Sequence, residues 1–225
     1  MFSIIIPVFN ESKNIETLIN EIDINLKEYL HYEIILVNDA STDNTLDVIK
    51  EIKNNKIIII SNIVNKGQSF CIHKGIKKSS NNIIVTIDGD GQNNPKDIPK
   101  LLNLYLSKNI DLVGGLRLNR QDSFIKIYSS RIANFFRSKI LNDECSDTGC
   151  SLKVFNKIIF LKFPYFDGIH RFLPAMFKGF GYKTAFTTVD HRKRKFGISK
   201  YGTMNRLFKG IRDIIKVKRL LKQIK

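Results

Sequence analysis

The sequence predicts an α/β fold, a Rossmann-like and mostly parallel β-sheet flanked by helices. Three observations support this fold class: short apolar runs rich in β-branched residues, helical patterns that alternate with these runs, and polar residues directly after them. Apolar runs without polar alternation are typical of strands that are covered on both faces. At 225 residues, 43% of them hydrophobic, the chain is long enough to bury a large core.

Four apolar runs are predicted to be strands of one parallel sheet. They are Phe2 to Ile6, Glu33 to Val37, Ile57 to Ser61 and Ile83 to Ile87. Apolar stripes between residues 15 and 22 and between residues 46 and 52 predict helices, and further helices are expected to begin near Gly67 and after Pro95. This alternation continues to about residue 116 and is typical of right-handed βαβ units, in which ligands bind beyond the carboxyl ends of the strands.

The pattern changes after Arg117. A long helix is predicted at roughly 123–141 and a short strand from Lys183 to Val189. Residues 203–224 predict an amphipathic basic helix. We therefore divide the chain into a catalytic domain at 1–202 and a tail helix at 203–225, which either contacts a membrane surface or partner, or packs on the domain.

Positive charge is concentrated at one end of the chain. The net charge is +16, and residues 191–225 carry 13 lysines and arginines against one acid, Asp213. A local charge of +12 indicates an anionic partner, which composition alone leaves open between a membrane surface, a phosphate and a nucleic acid.

No apolar stretch approaches the roughly 18 residues that span a bilayer, so we expect a soluble or peripheral protein. The three cysteines lack CxxC spacing and indicate neither a disulfide framework nor a zinc site. We therefore expect a reducing compartment, the cytoplasm.

The segment after the fourth strand combines acids with flexible glycines. Asp88, Gly89, Asp90, Gly91 and Gln92 place two carboxylates and an amide oxygen at a carboxyl end, and such hard ligands suit Mg²⁺ or Mn²⁺. An EF-hand is excluded, because its register places asparagine at the glycine position and proline at the glutamate position. The alternative is an acidic turn without a ligand.

Two other carboxyl ends are polar. The first strand leads into Phe9 and Glu11 without the GxGxxG of a dinucleotide fold, which disfavours a dehydrogenase. The second leads into Asn38 and Asp39, and Asp39 is a candidate acceptor of hydrogen bonds from a base or ribose. Near the tail, a basic segment at 191–201 offers cations for phosphate, although such a run also occurs on solvated faces.

Taken together, these segments resemble the family 2 glycosyltransferases of the polyprenyl-phosphate type, exemplified by dolichol-phosphate mannosyltransferase. The resemblance extends from Ile4 to about Ile215. Its motifs are IIPVFNE at 5–11, ILVNDASTDNT at 35–45, NKGQ at 65–68, TIDGDGQNNP at 86–95, GGLR at 114–117, DTGCSLK at 147–153 and HRKRKFGISKYG at 191–202. This sequence departs from the family's pattern at three positions. Asn38 replaces the usual first acid of a pair, Phe9 replaces a common tyrosine, and Gly89 replaces a frequent alanine.

The resemblance implies a type A glycosyltransferase fold and a set of site residues. The donor nucleotide is expected among Pro7, Phe9, Glu11, Val37 and Asp39. The metal and diphosphate site is expected at Asp88, Gly89, Asp90 and Gln92. The phosphates of donor or acceptor are expected at Arg117, Arg194 and Lys200, with Arg131 as a further acceptor contact. Asp90, Arg117 and Arg194 are the expected catalytic residues.

The implied reaction is an inverting sugar transfer from a GDP- or UDP-linked donor to a dolichyl or undecaprenyl phosphate, with Mg²⁺ or Mn²⁺. We expect it at the cytoplasmic face of a membrane, reached through the basic helix or an integral membrane partner, since many relatives continue into transmembrane helices. One alternative is a glycosyltransferase acting on a saccharide hydroxyl, with Asp147 or a neighbour as base. A nucleic-acid-binding protein is the lower alternative, because carboxylates in a cleft repel a phosphate backbone.

Overall fold

The computed structural model describes residues 1–117, 134, 136–196 and 203–223, with the backbone alone at 203–209. A seven-stranded sheet forms the centre of this part of the chain. Its strands in chain order are β1 (Phe2–Val8), β2 (Tyr32–Asn38), β3 (Ile57–Ser61), β4 (Ile83–Thr86), β5 (Leu112–Arg117), β6 (Lys153–Asn156) and β7 (Thr184–Val189). The spatial order is β3-β2-β1-β4-β6-β5-β7.

The sheet is mostly parallel, as the sequence predicts. β3, β2, β1 and β4 pair in parallel, and so do β5 and β7. β6 reverses the direction, because it pairs antiparallel with both β4 and β5. The four predicted strands are confirmed in the parallel half, and β7 confirms the predicted short strand before residue 190. All the parallel strands of that half end at one edge, where the acidic segments follow.

Helices cover both faces of the sheet. They are α1 (Ile15–Asn25), α2 (Thr45–Glu51), α3 (Gln68–Lys78), α4 (Ile98–Ser107), α5 (Lys157–Lys162), α6 (Leu173–Gly179) and α7 (Thr203–Lys222). Residues 136–141 are also helical and belong to the end of the long helix predicted at 123–141, most of which lies outside the described residues. α3 begins after Gly67 and α4 after a 3₁₀ turn that starts at Pro95, as predicted.

Alternate residues of the central strands enter two core layers. Ile4 and Ile6 lie in one apolar cluster, whereas Ile5 lies in the other, on the opposite face of the sheet. Successive side chains of a strand point to opposite faces of the sheet, and both faces are covered here. The strands are therefore apolar on both faces and form continuous apolar runs in the sequence. The edge strand β3 departs from this, since Ile58 and Ile59 are exposed.

The tail helix α7 packs on the body of the protein. Val217 is fully buried in the second core cluster, and the Asp213 carboxylate accepts a hydrogen bond from Arg171 at 2.8 Å. A side chain added at Gly179 of α6 would collide with Leu221, which shows how closely the two helices approach. Among the described residues, no helix has both the length and the apolar character needed to cross a membrane.

Candidate active site

Asp88 and Asp90 follow β4 directly and lie at the carboxyl edge of the parallel strands. The Asp88 carboxylate accepts a hydrogen bond from the side-chain amide of Gln68 at 2.7 Å, and its backbone N–H donates to the Ser151 hydroxyl at 3.2 Å. Burial, and secondly the charge of Asp90, raise the pKa of Asp88 to about 7. The fold thus places the two carboxylates where ionisation of both at once is unfavourable.

This donor set fits a divalent cation. Magnesium is commonly held by one or two carboxylates together with phosphate oxygens of a substrate. A bound cation would also stabilise the ionised form of both acids, which is otherwise unfavourable. Gln92 lies beside them, because its backbone N–H donates to Asp90 at 3.1 Å. Its side-chain nitrogen donates to the Arg192 carbonyl at 3.3 Å, which leaves the amide oxygen as a ligand atom. Within the described part of the chain there is no cluster of three or more His, Cys, Asp or Glu ligands, so further ligands would come from substrate.

Arg194 joins the basic segment to the acids. Its guanidinium contacts Glu11 at 2.8 Å and Asp90 at 3.2 Å. Glu11 is buried and also accepts a hydrogen bond from Asn14 at 2.7 Å. The structure therefore brings together Glu11, Asp90 and Arg194, three residues that the sequence resemblance places at one site from separate motifs.

Arg192 fixes the start of that basic segment. Its guanidinium donates to both carboxylate oxygens of Glu21 at 2.7 and 2.9 Å and to the side chain of Asn94 at 2.5 Å. Its backbone N–H donates to the Gln92 carbonyl at 2.9 Å. These contacts hold the segment against the loop that carries the acids and so determine where Arg194 lies.

The Asp39 carboxylate has a structural role that the sequence did not predict. It accepts hydrogen bonds from the Asn62 side chain at 2.8 Å and from the backbone N–H groups of Lys66 and Gly67 at 2.9 and 2.7 Å. The carboxylate therefore anchors the loop that precedes α3.

The other expected donor contacts differ in exposure. Pro7 and Phe9 are half-buried, whereas Val37 is fully buried with its side chain in the core. A donor contact at Val37 would have to be made by its backbone. A side chain added at Gly89 would meet Val8 at 2.8 Å and the Pro7 carbonyl at 3.3 Å, so this turn packs directly on the end of β1. That close approach explains the glycine between the two acids.

Arg117 is paired with an acid. Its Nε and one terminal nitrogen each donate to Asp147 at 2.7 Å, and its backbone N–H donates to the same carboxylate at 3.2 Å. The positive charge of Arg117 also lowers the pKa of Asp88, although less than burial raises it. Arg117 therefore lies near the acids that follow β4. Arg131 and Lys200 lie outside the described residues.

One known protein family matches most of this chain. Residues 3–163, more than half of the chain, match the family described as Glycosyl transferase family 2. The chain belongs to glycosyl transferase family 2. The matched span includes the acids after β4 and the Arg117–Asp147 pair, while the basic segment with Arg194 lies beyond it.

Curated relatives of this glycosyltransferase share about a third of its sequence. The chain is 33% identical to the dodecaprenyl-phosphate galacturonate synthase of Rhizobium johnstonii, over 96% of this chain and 65% of the relative. It is 35% identical to the undecaprenyl-phosphate 4-deoxy-4-formamido-L-arabinose transferase of Yersinia pestis, over 95% of this chain and 66% of the relative. The chain thus spans about two thirds of the length of these relatives.

Solved structures confirm the type A glycosyltransferase fold. Glucosyl-3-phosphoglycerate synthase from Mycobacterium tuberculosis, in complex with Mn²⁺, UDP and phosphoglyceric acid, aligns with a TM-score of 0.74 and 18% identity over 100% of this chain and 78% of that one. The same enzyme with Mg²⁺ and UDP aligns with a TM-score of 0.75 at 18% identity, over 100% of this chain and 80% of that one. At this identity the likeness supports the fold alone.

Sequence reasoning missed three side chains around Asp88 in this glycosyltransferase. Gln68 and Ser151 make the hydrogen bonds described above, and Lys153 is a buried lysine whose charge lowers the pKa of Asp88. The Lys153 ammonium donates to the Cys150 carbonyl. All three occur in the NKGQ and DTGCSLK motifs, so the signal was present, but nothing in the sequence connected those motifs to the acids.

Proposed function

We propose that this glycosyltransferase transfers a sugar from a nucleotide sugar to a polyprenyl phosphate, with inversion at the anomeric carbon. The observation that carries the proposal is the pair Asp88 and Asp90 at the carboxyl edge of the sheet, with the guanidinium groups of Arg117 and Arg194 beside it. Such a site combines ligands for a cation with cations for phosphate. Both are needed to bring an anionic donor and an anionic acceptor together.

In the proposed reaction an oxygen of the acceptor phosphate attacks the anomeric carbon, and the bond from that carbon to the donor diphosphate breaks. A divalent ion bound at Asp88, Asp90 and Gln92, either Mg²⁺ or Mn²⁺, would neutralise the charge that develops on the diphosphate. Arg194 and Arg117 position phosphate oxygens, and Lys200 is assigned to the same task from its motif. Because the attacking phosphate is already anionic, the reaction needs no strong general base.

Transfer to a saccharide hydroxyl is the weaker interpretation. A hydroxyl nucleophile needs a base, and the sequence offered Asp147 for that role. In the structure both carboxylate oxygens of Asp147 accept hydrogen bonds from Arg117. A carboxylate engaged in such a fork is a poor proton acceptor, since protonation would break a charge-assisted pair. This contact supports a phosphate nucleophile.

The names of the two relatives support the same acceptor class, because one acts with dodecaprenyl phosphate and the other with undecaprenyl phosphate. We extend the proposal to the cytoplasmic face of a membrane, where nucleotide sugars are made, and to an integral membrane partner as an optional component. The donor base is uracil or guanine, and an assay with UDP- and GDP-sugars distinguishes the two. A nucleic-acid-binding function leaves the acids at 88 and 90 without a role.

A direct assay tests the proposal. The purified chain is incubated with Mn²⁺, a polyprenyl phosphate and a panel of radiolabelled UDP- and GDP-sugars, and label is counted in the organic phase. One active donor is expected, with loss of at least 100-fold in Asp90→Asn and little change in Asp47→Asn, an exposed acid of α2. Label that stays in a water-soluble saccharide, or equal turnover by both variants, would refute the proposal.

A further inference from the structure

An apolar groove lies between α7 and the helical segment at 136–141. Its volume is about 440 Å³, and its apolar walls include Ile140, Ile211 and Ile215. Lys218, Arg219 and Lys222 line the same groove. It therefore combines an apolar surface with a cationic edge, and it is separate from the site that contains Asp88.

Contacts on the opposite side of α7 determine which of its residues face outward. Asp213 pairs with Arg171, Val217 is fully buried, and Leu221 packs against Gly179. These three residues are four apart and so form one stripe of the helix, which faces the body of the protein. The sequence alone left open whether the isoleucines of this helix pack on the domain or face outward. Ile211 and Ile215 instead remain 51% and 48% exposed.

The neighbouring helical segment extends the exposed apolar surface. Ile140 is 43% exposed, and Phe136, one turn earlier, is 59% exposed. Residues four apart lie on the same side of a helix, so both point to one side of this segment. We call the four side chains Phe136, Ile140, Ile211 and Ile215 the apolar strip. Ile140, Ile211 and Ile215 line one groove, so exposed apolar side chains of two helices meet here, whereas exposed apolar residues on a protein surface are normally scattered singly.

The exposed charges that α7 places next to the strip have one sign. Arg212, Lys218, Arg219 and Lys222 are exposed on α7. The only acid of α7 is Asp213, which is buried and paired with Arg171. The outward side of this helix therefore presents cations without carboxylates to balance them. An anionic surface is its electrostatic complement.

We propose that the apolar strip and its cations dock the protein on the surface of a bilayer that contains anionic phospholipid. The four apolar side chains would enter the boundary between headgroups and acyl chains, and the cations would contact lipid phosphates. A nucleic acid would use the cations but not the strip, and a protein partner would need an acidic surface around an apolar ridge. A bilayer supplies both features along the part of α7 whose side chains the structure describes.

Docking of this kind needs neither metal nor sugar donor, so it stands apart from the proposed reaction. Its consequence for that reaction would be location, because a prenyl phosphate is itself held in the bilayer. The orientation of α7 is fixed by Arg171 and Val217, so the strip is presented without any refolding of the helix.

Vesicle flotation tests the proposal. The chain is mixed with vesicles of phosphatidylcholine, with or without phosphatidylglycerol, and binding is expected only where the anionic lipid is present. Ile211→Ser with Ile215→Ser should lower partitioning at least tenfold. Lys218→Gln with Arg219→Gln should lower it roughly 25-fold at low salt, since each basic residue near an anionic leaflet contributes about fivefold. Added salt should weaken the charge contribution.

Matched controls change residues of the same kind that are exposed elsewhere on the protein. Ile24→Ser with Leu30→Ser removes two exposed apolar side chains, and Lys27→Gln with Lys53→Gln removes two exposed lysines. Both should bind vesicles like the unchanged protein. Equal losses in controls and test variants, or equal binding to neutral vesicles, would overturn the proposal. So would dimerisation without lipid that the serine variant abolishes, or tight DNA binding with no vesicle binding.

A second measurement separates docking from catalysis. The serine variant should transfer sugar to a short-chain, water-soluble prenyl phosphate at the unchanged rate. Loss of that transfer in a variant that unfolds at the normal denaturant concentration would show that the strip serves the active site and not a bilayer. Failure of the unchanged protein to transfer any sugar would count against the proposed reaction and leave the flotation result intact.

Discussion

The carboxyl group of Asp88 is held in surroundings that oppose its ionisation. Burial is the larger cause and the charge of Asp90 the second, and together they raise the pKa to about 7. The folded state therefore binds a proton that the unfolded chain releases near pH 4. The stability that this group contributes is present at low pH and is lost as pH rises through about 7.

Replacing Asp88 by asparagine tests this account without removing the acceptor oxygen that Gln68 contacts. At pH 8 without divalent ions, Asp88→Asn is expected to unfold at an equal or higher denaturant concentration, because a buried charge is gone. The gain is on the order of 4 kcal/mol at most, from about 1.4 kcal/mol per pKa unit. The increase in Tm that Mn²⁺ gives the unchanged protein should be absent.

Asp97→Asn is a suitable control for this experiment. Asp97 is buried, burial raises its pKa, and it accepts a hydrogen bond from the backbone of Asp190 rather than belonging to the acid pair. The Mn²⁺-dependent increase in Tm should survive in this variant. Equal Mn²⁺ responses in the Asp88 and Asp97 variants would contradict the assignment of the metal site.

Single-residue roles were only partly predictable from the sequence. The acids at 88 and 90 were identified because they directly follow a strand and are only two positions apart in the chain. The pairing of Arg117 with Asp147 was not, because the two residues are 30 positions apart and only the fold brings them together. The direction of the Val37 side chain was not predicted either. Its motif suggests a donor contact, and the pleat of β2 turns its side chain into the core, which leaves only its backbone for that contact.

At the scale of elements, length determined what the sequence revealed. Strands β1 to β3 have five to seven residues each and are separated by helical patterns, so their runs were clear. β6 has four residues and begins with Lys153, and α5 has six residues, fewer than two turns. β4 also has four residues, but it was predicted because its apolar run continues to Ile87, whereas β6 and α5 show no comparable strand or helix pattern. The antiparallel direction of β6 depends on tertiary pairing and leaves no sequence signal.

The loop before α3 provides a prediction at this scale. Gly67 has φ 84° and ψ 162°, a conformation that side chains other than glycine rarely adopt, and its N–H donates to Asp39. Gly67→Ala is therefore expected to lower the free energy of unfolding by about 1–3 kcal/mol, although there is open space around the added methyl group. Affinity for the donor nucleotide should fall as well, because Asp39 anchors this loop.

Gly210→Ala is the matched comparison for this prediction. Gly210 lies inside α7, also with open space around it, so the same methyl group should raise stability by up to about 1 kcal/mol. Both changes are measured by chemical denaturation, and nucleotide affinity by calorimetry. A destabilisation of equal size at both positions would show that the backbone conformation of Gly67 is not the cause.

At the scale of the whole molecule, the sheet separates two core layers that share one set of strands. Cys150 lies in one layer and Cys71 in the other, and Cys145 is buried as well. Burial raises the pKa of Cys71 to about 12 and that of Cys145 to about 11, and it also raises the pKa of Cys150. All three thiols are therefore protonated and inaccessible at pH 8, where a reagent attacks thiolates.

Thiol labelling at pH 8 should consequently report unfolding of the whole sheet. Each of Cys71, Cys145 and Cys150 is expected to react at least about 1000-fold more slowly than in denaturant, as a global stability of several kcal/mol requires. The three rates should agree, because opening either layer breaks strands that the other layer also packs on. Lys53→Cys, at an exposed position, provides the fast control. Mass spectrometry of each site measures the rates, and rapid labelling of one buried cysteine alone would show that its layer opens independently.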